Sequence, residues 1–413
     1  MKKVLVCAYS CVSESGVKNI GGEAELGINM IKQLSRFFDV YVLTHHHNKK
    51  SIEDFLLKQP MPNVTFFYIA LPKFLSFLEK FHKGGIQIYS YLWQIKAYFV
   101  AKELHQKNNF DFFHHITYAN DWMASYIGAL LPIPYVRGPG GGAHSVPKLF
   151  MKEYTLQQKL GEIVRGVGQW IFRHDPFFTL GQNKAKALLV CNQEAFNAMP
   201  QKWQAKTQFF PVNGINLSDV QRLSLQDVQH PEFVVMTAGK LLKIKSVELA
   251  IKAFKIFNDK VPGSKFLIIG DGPEFLNLNK LVLDLNLKNK VKFEKWMPRK
   301  ELLLKMAESD LFVFPSLRDG GGAVVVEAMA MQKPIVCFDI SGPGFHVKNE
   351  WGIKIKPENP DQAVRDMAKA FENLYYNKEL RLKMGENAKK RVEEFYNWDK
   401  LGDKLFQIYN NVL

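Results

Sequence analysis

Cysteine is scarce: four residues in 413, at positions 7, 11, 191 and 337. They are too few and too widely spaced for a disulfide framework or a zinc site, and three fall in predicted strands, so they read as reduced thiols in a cytoplasmic protein. There is no run of eighteen apolar residues, which excludes a membrane-spanning helix. There is no low-complexity tract. No G-x-G-x-x-G follows an early strand, and "GGEAEL" does not supply it, which argues against a dinucleotide-dependent dehydrogenase. Acidic residues are in short supply as well, 40 against 55 Lys plus Arg. Residues 1–215 hold 24 basic and 14 acidic side chains, a net +10, and 216–413 hold 31 and 26, a net +5. Such an excess suits anionic partners: nucleotide phosphates or an anionic membrane surface. It is spread over both halves and no recognition motif accompanies it, so nucleic acid is not the expected partner.

What the sequence does have is a repeated alternation. Residues 3–8, 39–44, 64–70, 111–115, 134–137 and 187–191 read as short apolar strands separated by amphipathic helical stretches such as "GEAELGINMIKQLSRF". "MKKVLVCAYSCV" has too short an apolar run for a signal peptide and reads as the first buried strand. From residue 232 the pattern restarts with "EFVVMTAG", "KFLIIGDG", "KVKFEKW", "DLFVFPS", "PIVCFD" and "GIKIKP". The expectation is an α/β chain of two doubly wound, Rossmann-like domains, with the parallel sheets covered on both faces. We expect boundaries at 1–212 and 213–395, with 396–413 as a terminal helix and the polar stretch "NLSDVQRLSLQDVQHPE" as linker.

Ligands of such sheets sit beyond the carboxyl ends of the strands. In the second half those ends carry Lys240 and Lys245 in "TAGKLLKIKS", Gly270, Gly272 and Glu274 in "GDGPE", and Asp319, Gly320, Gly321, Gly322 and Glu327 in "SLRDGGGAVVVEAMAM". Two cations beside a glycine-lined helix start suit a diphosphate, and a carboxylate can accept from two ribose hydroxyls. In the first half "FDFFHHITYANDW" and "YVRGPGGGAHSVP" put His114, His115, Arg137 and His144 at strand ends, as candidates to touch a sugar or an acceptor. The "HHH" at 45–47 follows a strand without an acidic partner in spacing, and no metal site is expected there. Residues 73–107 interleave aromatics with Lys73, Lys80, Lys83, Lys96 and Lys102; they read either as core-packing helices or as a surface that lies on anionic lipid.

These motifs together resemble the retaining nucleotide-sugar glycosyltransferases of family 4, which have the two-domain GT-B fold. "GGEAELGINMIKQL" is similar to that family's early glycine-rich loop and helix, "FPVNGIN" to its linker signature, and "AGKLLKIKSVELAIKAF" to its basic phosphate loop. "GDGPE" and "DGGGAVVVEAMAMQKPIV" look like the donor-site motifs, the latter with the family's two acids separated by seven residues. "FYNW" resembles the start of the helix that crosses back onto the first domain. The resemblance implies two domains facing a cleft and transfer of a sugar from a nucleotide diphosphate to a glycan or lipid-linked hydroxyl, with retention, in cell-surface polysaccharide or glycolipid synthesis. A catalytically impaired, regulatory relative is the alternative.

By position, the resemblance puts Lys240 and Lys245 on the diphosphate, Glu327 on the ribose, Asp319 on the transferred sugar, and Gly21 and Gly22 near the donor phosphates. His115 is the favoured histidine beside the sugar. Three departures stand out: Lys240 where arginine is common, Ser246 where glycine is usual, and Asp319 in place of glutamate. There is no Asp-x-Asp in the sequence, so the protein's own cations are expected to act on the leaving group, with neither metal nor cofactor. The resulting expectation is a cytoplasmic enzyme in peripheral contact with the inner face of the membrane.

Overall fold

The computed structural model describes residues 1–11, 22–75, 77–80, 85–221 and 232–412. The chain divides into two compact units, one formed by 1–143, 154–212 and 398–413, the other by 144–153 and 213–397.

The first unit is built on a seven-stranded sheet with order β3-β2-β1-β4-β5-β6-β7. Its strands are β1 (Lys3–Ala8), β2 (Asp39–His45), β3 (Val64–Ile69), β4 (Phe112–Thr117), β5 (Tyr135–Gly140), β6 (Ala187–Val190) and β7 (Thr207–Phe209). All neighbouring pairs are parallel. β1 beyond Lys3 is an apolar run, and all of β4, its two histidines included, is buried, because helices cover both sheet faces. On one face Val4, Val6, Val40 and Val42 pack with Leu26 and Ile31 of the helix Gly22–Leu34 and with Leu401, Leu405 and Tyr409 of the terminal helix Trp398–Val412. On the other, Leu5, Cys7 and Phe113 pack with Tyr89, Trp93 and Ala97 of the long helix Gly85–Asn108.

That second face decides between the two readings of residues 73–107. Tyr89, Trp93, Ala97 and Ala101, at helical spacing, are fully buried, and Trp93 Nε1 donates to the Ile69 carbonyl (3.0 Å). The helix Gly85–Asn108 is a core helix with Tyr89 and Trp93 in its packing stripe, while Phe74, Phe77 and Phe99 are exposed. Lys83 lies outside the described residues.

The second unit holds six parallel strands in the order β10-β9-β8-β11-β12-β13. They are β8 (Phe233–Ala238), β9 (Ser264–Ile269), β10 (Val291–Glu294), β11 (Leu311–Phe314), β12 (Ile335–Phe338) and β13 (Gly352–Ile355). The chain reverses its direction of travel across the sheet between β8 and β11, which opens a crevice at their carboxyl ends. Most of the linker stretch expected at 216–232 lies outside the described residues; its beginning is a short helix, Leu217–Gln221.

The grouping differs from the expected boundaries in one respect that bears on function. His144–Glu153 clusters with the second unit, where Phe150 meets the ring of Phe338 (6.0 Å between centroids) and Glu153 faces Lys243 (3.7 Å). No helix among the described residues is long and apolar enough to cross a membrane.

Candidate active site

The loop after β8 and the loop after β11 meet at the switch point of the second sheet. Leu317 N–H donates to the Ile244 carbonyl (2.9 Å), pinning one loop to the other. The Lys245 ammonium pairs with Asp319 Oδ2 and stands over the face of Phe314, 5.2 Å from its centroid. Asp319 Oδ1 accepts from the N–H groups of Gly321 (3.1 Å) and Gly322 (2.7 Å), at the start of the helix Ala323–Ala330. Burial pushes the Asp319 carboxyl up, but the Lys245 ammonium and these two N–H groups outweigh it and hold the acid below the usual carboxylate range. In this structure the protein's own carboxylate occupies the helix start where an anionic ligand was expected.

Further side chains fix this loop. The Gly321 carbonyl accepts from Asn213 Nδ2 (2.5 Å) and His346 Nε2 (2.6 Å), and the Asp319 carbonyl accepts from Gly342 N–H (2.8 Å). His346 Nδ1 accepts from the Tyr396 hydroxyl (2.8 Å), so the ring is the neutral Nε2–H tautomer. Burial lowers its pKa to about 4, against the Gly321 carbonyl and the Asp319 charge, which favour the protonated form. Asn213 lies in "FPVNGIN", a motif legible in the sequence; nothing near "SGPGFHV" marks His346.

Glu327, one helical face further on, accepts from Arg299 Nε (2.6 Å), whose Nη1 also reaches Asp219 Oδ2 (3.4 Å). Arg299 was missed by sequence reasoning: it follows Pro298 at the start of the helix Arg299–Ala307 and lies far from Glu327 along the chain. Lys240 is exposed. Lys243 pairs with Glu248 (2.8 Å).

The glycines of "GDGPE" have a packing role within the second unit. A Cβ on Gly270 or Gly272 would strike the carbonyls of Gly239 and Leu241. Both residues therefore let the β9 loop close on the β8 loop, where Glu274 N–H donates to the Leu241 carbonyl (3.1 Å). Ser246 adopts φ +48°, a left-handed conformation costing roughly 1–2 kcal/mol for a residue with a side chain, which explains why glycine is usual there in the resembling family.

The candidates of the first unit are placed differently. His114 Nδ1 accepts from the Tyr409 hydroxyl (2.6 Å) and its Nε2–H donates to the Gly138 carbonyl (2.7 Å), so both nitrogens are used inside the unit. His115 is fully buried; burial, then the Arg137 charge and His114, hold its pKa well below the ordinary value. Arg137 is buried too and donates to the carbonyls of Asn120 and Met123. The expectation that these three side chains face a ligand is corrected. They lie within β4 and β5, before the strand ends, where both faces of the sheet are covered. His144, a candidate for the acceptor or sugar side from sequence, stands by the loop after β11: a Cβ on Gly320 would lie 3.6 Å from its Cε1. Gly22 opens the first helix and is exposed; Gly21 lies outside the described residues. His45, His46 and His47 each bring one nitrogen within 4.8 Å of the others, so they could meet a metal ion although none was expected there.

Residues 225–391 match the family described as "Glycosyl transferases group 1". The chain is 25% identical over 299 residues to alpha-D-kanosaminyltransferase of Streptomyces kanamyceticus, covering 69% of this chain and 75% of that one. Over 200 residues it is 28% identical to UDP-Gal:alpha-D-GlcNAc-diphosphoundecaprenol alpha-1,3-galactosyltransferase of Escherichia coli, covering 47% and 49%. In structure it superposes on Anabaena HepE, solved in complex with UDP, with a TM-score of 0.64 over 100% of both chains at 18% identity. The match to the group 1 glycosyltransferases thus lies in the second half of the chain, and the fold is the two-domain GT-B fold.

Proposed function

We propose that this glycosyltransferase moves a sugar from a nucleotide-diphosphate donor to a hydroxyl of a glycan or lipid-linked acceptor, with retention of configuration, in the cytoplasm, for cell-surface polysaccharide or glycolipid synthesis. The observation that carries the reading is the junction of Lys245, Asp319 and the Gly321 and Gly322 N–H groups at the switch point of the second sheet. It gathers a cation, two N–H donors and a helix start around one anion. The UDP bound by HepE and the diphosphoundecaprenol-linked sugar in the name of the Escherichia coli relative support the donor and acceptor classes.

In this reading Lys240 and Lys245 bind the diphosphate, Glu327, oriented by Arg299, accepts from the ribose hydroxyls, and Asp319 turns to the hydroxyls of the sugar. His144 takes the position beside the sugar that the sequence suggested for His115. Transfer passes through an oxocarbenium-like state while negative charge grows on the departing diphosphate. Lys245 and the N–H groups of Gly321 and Gly322 stabilise that charge. Attack from the face the diphosphate leaves accounts for retention in this reading.

The test is thermal stabilisation by UDP, GDP and ADP in turn, since a ligand that binds the folded form raises its midpoint. One of the three should raise it, and Glu327→Ala should abolish most of the rise, each charge-assisted bond contributing about 1.5–3 kcal/mol. An unchanged shift in that variant removes the ribose assignment. A regulatory relative without activity is favoured by one observation, that both Asp319 oxygens are already engaged. Nucleotide binding with no hydrolysis of any sugar in a panel of nucleotide sugars would select it.

A further inference from the structure

The helix Leu156–Arg173 in the first unit is mounted inside out. Its start is well encoded, with a capping box between Thr155 and Gln158. A surface helix ordinarily turns its apolar stripe to the core. Here the side turned to the protein is largely polar: Arg165 Nη2 and Gln169 Nε2 both donate to the Gly142 carbonyl (2.6 and 3.0 Å), and Arg173 faces the buried Asp121 (3.7 Å). Phe172 adds aromatic contacts with Tyr91 (5.2 Å) and Trp122 (5.6 Å).

The outward side carries Leu156, Leu160, Ile163, Val167 and Trp170, at alternating spacings of four and three, widened by Val164 and Ile171. All seven are between 52% and 75% exposed. At 18 residues the stripe runs about 27 Å along the helix. Isolated exposed apolar residues are ordinary, but a contiguous stripe of this extent marks an interaction surface. The helix is attached through its polar side, so the apolar side is not needed to hold it in place.

We propose that this stripe lies on an anionic lipid bilayer. Two features on the helix favour lipid over a second copy. At spacings of four and three the positions flanking the stripe are Gln157, Val164 and Ile171 on one edge and Lys159, Gly166 and Arg173 on the other. Lys159 thus stands at the margin of the stripe, where a cation meets lipid phosphates. Trp170 has the amphipathic ring that prefers the headgroup level. The surroundings agree: residues 1–215 carry 24 basic and 14 acidic side chains, and exposed Phe74 and Phe77 precede the core helix whose Tyr91 touches Phe172. The bilayer contact thus belongs to Leu156–Arg173, not to the aromatic stripe of residues 85–108. It is independent of the sugar-transfer reading, because it is measured with no donor present.

The experiment is co-sedimentation of the full chain with vesicles of equal parts phosphatidylglycerol and phosphatidylcholine, and with phosphatidylcholine alone, at low and high salt. Native protein should pellet with the anionic vesicles at low salt and less so at high salt. The double variant Ile163→Asn/Val167→Asn should bind at least about tenfold more weakly with an unchanged melting temperature, both positions being exposed. Native protein left in the supernatant at low salt overturns the proposal, as does equal binding by the variant. So does a lipid-free dimer that the same variant dissociates, which would assign the stripe to a second copy.

Discussion

Each unit gathers a cluster of polar side chains at the middle of its sheet, one sealed inside and the other partly open to solvent. His114, His115 and Arg137 belong to the central strands of the first sheet; Lys245, Asp319 and Glu327 belong to the loops and helix that follow the central strands of the second. The first three are buried, and His114 and Arg137 spend their donors on the Gly138, Asn120 and Met123 carbonyls. The second three are half-buried and pair charge with charge, Lys245 with Asp319 and Arg299 with Glu327. A few residues of difference along a strand separate a scaffold from a candidate site: before the strand end both sheet faces are covered, and beyond it backbone N–H groups and side chains can meet a ligand.

The comparison breaks most visibly at Arg137. Replacing it with alanine removes a cation from beside the buried Asp121 and should cost about 3–5 kcal/mol of stability, read by urea denaturation, while the nucleotide-induced thermal shift of the folded fraction stays the same. Retained stability with lost transfer would return Arg137 to the site. Lys245→Ala should do the opposite. Its turnover should fall by the equivalent of about 3–4 kcal/mol in the barrier with the fold intact, as steady-state kinetics and the melting temperature will show. If only the donor Michaelis constant rises, Lys245 is a ground-state contact.

The most gradual effect, small for each unit of pH, is shared by both units. Burial lowers the pKa of His346 to about 4 and that of His114 to about 3. Above pH 6.5 both rings are neutral whether the chain is folded or not, and neither affects stability. As the pH falls below 6.5 the unfolded chain takes up protons that the folded chain refuses. Stability therefore declines through that window until the folded pKa is reached, by up to about 1.4 kcal/mol per pH unit for each ring. Denaturation curves from pH 8 to pH 4 should be flat and then fall; a flat profile throughout would mean the rings are not buried neutral.

Much of this was legible in the sequence. Strands such as Leu311–Phe314 announce themselves as buried runs bounded by turn residues, and the order in which the lysine, glycine and acid motifs follow strand ends pointed to the Lys245 and Asp319 junction. A fully buried strand, however, loses the alternation that tells inside from outside, so nothing in "FDFFHHITY" revealed that His115 sits short of the strand end. β7 is three residues long and escaped notice. The Arg299–Glu327 pair and the grip of His346 on the Gly321 carbonyl join residues 28 and 25 positions apart, and chain distance of that order leaves no local signal. Helical spacing in Leu156–Arg173 is plain to see, but which side of such a helix faces water is decided by what it is bonded to.

The terminal helix sets the order in which the molecule can be completed during synthesis. The chain passes between units after residues 143, 153, 212 and 397, and the last passage brings Trp398, Leu401, Leu405, Ile408 and Tyr409 into the core around β1 and β2. A nascent chain that has reached residue 212 has made the whole first sheet, yet the part of one face where Trp398–Val412 packs is uncovered and His114 Nδ1 has no hydroxyl to accept from. The second unit can close while the first is still open. The sheet made first is finished only once residues 398–412 have been made, and until then it presents bare apolar surface of the kind that chaperones hold.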